Sequence, residues 1–257
     1  MKRFFFLFGL IAAGCLLEGC ATPNYFPLKN PKFSQQDSKS SRNVVVFPFE
    51  VGVQYEPFAT QNSQAKAVQK SDEAETYALD ALKEELLHYG YTVTDYVTKK
   101  EFRKDDLEED ERLIIMAEIL NEYQSASYSI RDNLMEEKGK DFDYSVGIRV
   151  QELNRYFSPP PDVYALVYVD GYVQNLVAFE QNSFNTVEAI LSLGMSQLGQ
   201  TANDVLSMDL VLIDAKTGDI LWLNNYSRLA RSILVPGHIH EAVKQILASL
   251  NKSQGSQ

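Results

Sequence analysis

The chain has 257 residues, 45% apolar and 23% charged, with 14 tyrosines and 14 phenylalanines. That composition excludes a disordered polypeptide, and the length suits one large domain or two small ones, able to bury roughly 70% of the unfolded surface without a disulfide or metal staple. Its 24 basic and 35 acidic residues give a formal charge of −11, which argues against an electrostatic grip on nucleic acid.

The N-terminus reads as an address. Lys2 and Arg3 precede an apolar run from Phe4 to Leu17, followed by Glu18-Gly19-Cys20. The run has the length of a signal-peptide core and is short for a span of ~20 residues. Both cysteines of the chain, Cys15 and Cys20, lie here, so no disulfide framework can hold the rest. Leu17-Glu18-Gly19-Cys20 resembles a bacterial lipobox, although Glu18 departs from its small or uncharged residue. Cleavage after Gly19 would leave Cys20 as the lipidated first residue. The competing site, Ala12-Ala13-Gly14-Cys15, lacks the leucine three residues before its cysteine. The alternative to both is an uncleaved anchor with two incidental cysteines. Ala21, where sorting to the inner membrane would ask for Asp, favours the outer membrane by resemblance to enteric sorting rules. Cleavage removes Lys2, Arg3 and Glu18, leaving 22 basic and 34 acidic residues and a charge of −12. Such a body is held to an anionic leaflet by acyl chains, at about 0.8 kcal/mol per buried CH₂, and not by charge.

Residues 20–42 read as a lipidated tether, with three prolines and four serines. Val44 to Phe49 is a short, buried strand that Pro48 ends or pushes to a sheet edge. The polar stretch 54–70 predicts a long loop. Ser71 is a candidate N-cap. Ala74, Tyr77, Ala78, Ala81, Leu82, Leu86 and Tyr89 then form one helical face that Gly90 closes. Residues 91–97 predict a strand, and the charged run 98–112 a solvated helix or loop. Leu113 to Leu120 belongs to a further helix. Phe142, Val146, Val150, Leu153 and Phe157 mark another helical face, stopped by Pro159-Pro160-Pro161. Asp162 to Val169 is the strongest strand; Asp170-Gly171 either turns it into a hairpin or sits as a bulge in one longer strand. Residues 183–200 read as partly helical. Residues 208–214 and 219–224 form a hairpin across Ala215-Lys216-Thr217-Gly218. Pro236-Gly237 opens a last helix with Ile239, Val243, Ile246, Leu247 and Leu250 on its apolar face.

The search for chemistry yields little. His238-Ile239-His240 has the look of a metal-ligand pair but lacks a cysteine or clear third ligand, so it reads as a loop-to-helix junction. His88, beside an apolar helical face, reads as a partly buried structural residue. No G-x-S-x-G elbow is present. Gly194 to Thr201 matches a phosphate-binding loop except that neutral Gln200 replaces the lysine, and it follows a helical pattern, not a strand. Asp209, Asp214 and Asp219 sit at strand ends, where Asp is common in turns. No catalytic residue, metal or cofactor is assigned. Tyr164, Tyr168 and Tyr172 recur at a spacing of four, so the first two share a face on a straight strand; the tyrosines read as a sheet face covered by a helix, or else as a protein interface.

The order of elements predicts one α/β sandwich over residues 43–250, a mixed sheet flanked by helices, preceded by a signal peptide (1–19) and flexible tether and followed by a polar tail (251–257). Val44-Val45-Val46-Phe47-Pro48-Phe49, the helix ending in Tyr89-Gly90-Tyr91, Phe142 to Gly147, Asp162 to Leu166 and Asp214-Ala215-Lys216-Thr217-Gly218-Asp219-Ile220-Leu221-Trp222 resemble a family of uncharacterised bacterial envelope lipoproteins with a TolB-N-like, curli-secretion-type α/β fold. The resemblance implies a lipid-anchored, non-enzymatic module that binds or scaffolds envelope proteins. Relatives of this fold include subunits of a ring-shaped secretion channel and activators of peptidoglycan synthases. A homo-oligomeric channel subunit, with residues 172–207 as the membrane-inserting stretch, is therefore one alternative, and an envelope hydrolase with dispersed carboxylates the other.

Overall fold

The computed structural model describes residues 28–30, 33, 41–55, 61–98, 101, 110–135, 143–173 and 204–250. The leader with Cys15, Gly19 and Cys20, and the readings made for 183–200 and 194–201, lie outside them. The expected mixed α/β sandwich is present. Six strands, β1 (Leu28–Lys29), β2 (Arg42–Tyr55), β3 (Tyr91–Thr98), β4 (Val163–Val173), β5 (Val205–Asp214) and β6 (Ile220–Leu229), form one sheet in the order β1-β6-β5-β4-β2-β3. β2 runs parallel to β3 and β4, and the other pairs are antiparallel. Helices α1 (Gln61–His88) and α4 (Pro236–Leu247) cover one face; α2 (Glu111–Met135) and the single turn α3 (Val150–Leu153) cover part of the other. No helix among the described residues is long and apolar enough to cross a membrane.

Strand period explains the two cores. On β4, Val163, Ala165, Val167 and Val169 face α1 and α4, while Tyr164 and Leu166 face α2 and α3. All six are at most 1% exposed, which is why the segment reads as a continuous apolar run. Tyr164 stands edge-on to Phe47 at 5.1 Å and Phe157 at 6.1 Å. Its hydroxyl donates to Asn154 Oδ1 at 2.6 Å, and Asn154 Nδ2 donates to the Ala215 carbonyl at 2.9 Å. Burial drives its phenol well above the usual tyrosine range.

Pro48 neither ends its strand nor lies at an edge. β2 is internal, and its register against both neighbours slips by one residue between Val46 and Phe49. A bulge is the one place inside a sheet that accommodates a residue without an N–H. The sheet also reaches into the segment read as tether: Leu28 and Lys29 pair with Leu223 and Trp222, Asn30 N–H donates to the Leu221 carbonyl, and Phe33 is buried.

α1 starts at Gln61, ten residues before the expected Ser71 cap. Residues 61–70 are mostly good helix formers without an apolar stripe, so propensity continues where periodicity is silent. Its buried face is Ala74, Ala78, Ala81, Leu82 and Leu86; Tyr77 is exposed. Gly90, at φ +82°, closes the helix as expected. The helix expected around Phe142 to Phe157 contracts to α3 and a 3₁₀ turn over Asn154–Tyr156. Val146, Val150, Leu153 and Phe157 still share one core, so the apolar spacing reports common burial and not continuous helix.

Asp170-Gly171 is no hairpin turn: β4 runs unbroken from Val163 to Val173. A Cβ on Gly171 would lie 2.2 Å from Ile233 Cγ2, so glycine serves close packing there. The β5–β6 hairpin follows the expected design. Asp214 Oδ1 accepts the Lys216 and Thr217 N–H groups, and Gly218 takes φ +77°. Strands β6 and β3, toward the two ends of the sheet order, each carry a bond from a side chain to the next residue's N–H. Asn224 Oδ1 accepts the N–H of Asn225 on β6, and Asp95 Oδ1 accepts that of Tyr96 on β3. Among the described residues, nothing pairs with β6 beyond Leu223 except β5.

Candidate functional site

Among the described residues, burial on the α2–α3 side of the sheet is uneven. Tyr164 is roofed by Phe157, but farther along β4 the same face presents Tyr168, Asp170 and Tyr172. The pairing register carries three rows across four strands: Glu50, Tyr168, Asp209, Asn225; then Gly52, Asp170, Ser207, Ser227; then Gln54, Tyr172, Val205, Leu229. Neighbours within a row stand about 4.8 Å apart, and rows about 6.8 Å. Asp170, Asp209, Asn225, Ser227 and Leu229 are exposed, while Tyr168 and Tyr172 are half-buried. Of the two readings of the tyrosines, the covered face holds for Tyr164, and Tyr168 and Tyr172 occupy a partly open one.

These twelve positions carry three carboxylates and no basic side chain. The Asp170 carboxylate folds over Gly52, where a Cβ would approach its Oδ1 to 2.7 Å. Ser207 and Ser227 hydroxyls bond each other at 2.9 Å. Burial, then the Asp209 charge, pushes the Tyr168 phenol up to about 12, so it stays a neutral donor at any physiological pH. No histidine or lysine stands in the rows to activate a hydroxyl. What the surface offers is phenol, amide and hydroxyl groups set among carboxylates.

The histidines serve the other side of the sheet. His238 and His240 do not converge. Ser232 N–H donates to His238 Nδ1 at 3.0 Å, closing the loop before α4. His240 Nε2 lies 3.0 Å from Glu85 Oε1, joining α4 to α1. Glu85 is buried, and His88 Nδ1 lies 3.6 Å from its other oxygen. His88 is largely exposed, not partly buried as expected. The described residues hold no group of three His, Cys, Asp or Glu side chains placed for a metal ion. Glu85 escaped the sequence reading, although its place between Leu82 and Leu86 on the buried face of α1 is legible in the helical period. Glu241, which pairs with Arg228 at 3.6 Å and Arg231 at 3.4 Å, has no such signal, because those contacts cross from α4 to β6 and the loop after it.

Burial, with the Arg231 guanidinium beside it, holds the His238 imidazole below its ordinary range. The bond from Ser232 requires an unprotonated Nδ1, so the fold resists protonation more than the unfolded chain does. That contribution is whole above the unfolded value, near ~6.5, and is lost as pH falls toward the lowered folded value. Urea midpoints measured from about pH 7.5 down to about 5.5 are expected to fall faster for wild type than for His238→Asn. Parallel curves would remove His238 from the pH response.

No family model matches the chain, and no curated protein matches it. Among solved structures it is similar to PelC from Paraburkholderia phytofirmans, determined as a dodecamer, at 13% identity and a TM-score of 0.32, over 90% of this chain and 99% of that one. A variant of the same dodecamer gives 13% and 0.32 over 88% and 96%. Likeness at this level leaves the functional reading to the chain's own residues.

Proposed function

We propose that the chain is a bacterial envelope lipoprotein, cleaved after Gly19 and acylated at Cys20, whose domain binds or assembles other envelope proteins without catalysing a reaction, at the periplasmic face of the outer membrane. The observation that carries this reading is the leader. Both cysteines of 257 residues fall in it, behind Lys2-Arg3 and an apolar run, with Leu17 three residues before Cys20 and Ala21 directly after it. The open face around Tyr168 and Tyr172 supports the binding role. Its carboxylates favour a partner presenting lysine or arginine, and its half-buried phenols supply contact area at low entropic cost.

Metabolic labelling with a fatty-acid analogue tests the anchor. Wild type and Cys15→Ser are expected to carry the label and fractionate with the outer membrane; Cys20→Ser is expected to lose it. Label that depends on Cys15 would move the site, and an unlabelled cytoplasmic protein would end the reading. Photo-crosslinking from position 225 in intact cells tests the binding face, with a captured envelope protein as the expected result. Size in mild detergent separates a monomeric or dimeric module from a ring-forming channel subunit.

A further inference from the structure

We propose, resting on the binding role read above for the face around Tyr168 and Tyr172, that the loop 230–235 is an acid-released latch behind that face, held shut by the bond from Ser232 N–H to His238 Nδ1. Side chains alternate along β4. Val169 and Val173 belong to the core under α1 and α4, so Gly171 between them opens to that side, and Asp170 and Tyr172 to the other. Ile233 fills the space behind them. It is fully buried, and a Cβ on Gly171 would stand 2.2 Å from its Cγ2. The loop thus backs β4 between the rows of Asp170 and Tyr172.

Ala230 leaves β6 at φ +56°, a left-handed backbone that its Cβ disfavours. Val235 N–H donates to the Ser232 carbonyl at 3.2 Å, and Leu234 N–H to Ser232 Oγ at 3.4 Å. These bonds stay within the loop. The bond that ties Ser232 to α4 is the one from its N–H to His238 Nδ1, at 3.0 Å. Ser232 is fully buried, and a buried donor that loses its acceptor costs its full desolvation.

A proton on Nδ1 has that effect, because the acceptor becomes a donor and two N–H groups face each other. Burial opposes this charge first and Arg231 next, while Glu241 on α4 and Asp204 ahead of β5 favour it. Arg228 and Arg231 both pair with Glu241, and His240 turns to Glu85 on α1. In the open loop His238 returns to its ordinary range, near ~6.5. The closed loop is therefore favoured in full above that value. Opening grows as pH falls below it, by at most about tenfold per pH unit for one proton. Release relaxes Ala230, withdraws Ile233 from Gly171 and loosens the stretch of β4 that holds Asp170 and Tyr172.

Hydrogen exchange read by mass spectrometry tests the latch on the full-length lipidated protein in mild detergent, at about pH 7.5 and about pH 5.5, with times scaled for the intrinsic rate. Peptides spanning 230–235 and 169–173 are expected to exchange roughly tenfold faster at the lower pH, while 113–120 of α2 stays level. His238→Asn keeps an acceptor for Ser232 without titrating, and is expected to abolish the difference in both peptides. Acid-enhanced exchange confined to 230–235, the same rise in His238→Asn, or no rise in wild type would overturn the latch. Should His238→Asn fail to fold, Ile233→Ala decides: fast exchange of 169–173 at both pH values is expected, and a surviving acid response there would overturn the latch. These readouts need no partner, so their failure leaves the binding role standing. Absent capture from position 225 at about pH 7.5 would remove the binding role and not the latch.

Discussion

Tyr164→Ala is expected to lower unfolding stability by about 3–5 kcal/mol, a large share of the ~5–15 kcal/mol that holds a domain of this kind together. The ring is fully buried between Phe47 and Phe157, and its removal also strands Asn154 Oδ1. Tyr164→Phe keeps the rings in place and loses only the hydroxyl's bond, so about 1–2 kcal/mol is expected. Tyr172, eight residues along the same strand face, should behave in the opposite way. Tyr172→Ala is expected to change stability by less than about 1 kcal/mol and, on the binding role proposed above, to abolish capture by the crosslinker at position 225. Urea unfolding of the three variants checks the series. Comparable losses for Tyr164→Ala and Tyr172→Ala would contradict the division of this face into a roofed and an open half.

The second large effect belongs to Gly218. Its φ of +77° is costly for any residue with a Cβ, and that Cβ would lie 2.2 Å from the Gly147 carbonyl oxygen and 2.8 Å from Val150 Cγ2. Backbone cannot swing aside as a side chain can, least of all here. Ser145 Oγ and Val146 N–H both donate to the Gly218 carbonyl, at 3.0 and 2.9 Å, and Ile220 N–H donates to the Tyr144 carbonyl. Strain and overpacking together predict a loss of about 2–4 kcal/mol for Gly218→Ala. Gly147→Ala is the natural control. Its φ is +82°, but nothing lies within 4 Å of the added carbon, so only the backbone cost of about 1 kcal/mol is expected. Equal melting shifts for the two would mean that the contact between the 145–150 segment and the hairpin is loose.

The elements that local chemistry dictates were legible in the sequence. Val163 to Val169 is β-branched and aromatic enough to be a strand in any sheet. Asp214 to Gly218 contains its own turn, with an Asx bond and a residue free to take positive φ. α4 carries a clean apolar stripe. What could not be read depends on partners distant in sequence. Pro48 looks like a terminator until β3 and β4 are seen to share its bulge, and two residues of β1 become a strand because Leu223 and Trp222 lie beside them. Residues 61–70 have helical composition but no apolar stripe from which a period could be read. The candidate face follows the same rule. The spacing of Tyr164 and Tyr168 announces a shared side of a strand; which of these rings is buried depends on packing from segments distant in sequence, such as Phe157 over Tyr164.

On the lipoprotein reading proposed above, the bonds that Asn224 and Asp95 make to the next residue's N–H carry a consequence for a molecule confined to a plane. Proteins tethered to one leaflet meet at high lateral density with their long axes restrained, conditions under which bare strands zip together into fibrils. A side chain already occupying a donor on β6 and on β3 competes for the ladder such growth would copy. Under that reading the domain can be crowded on a surface and still leave the face around Tyr168 and Tyr172, rather than its margins, as the place where neighbours are chosen.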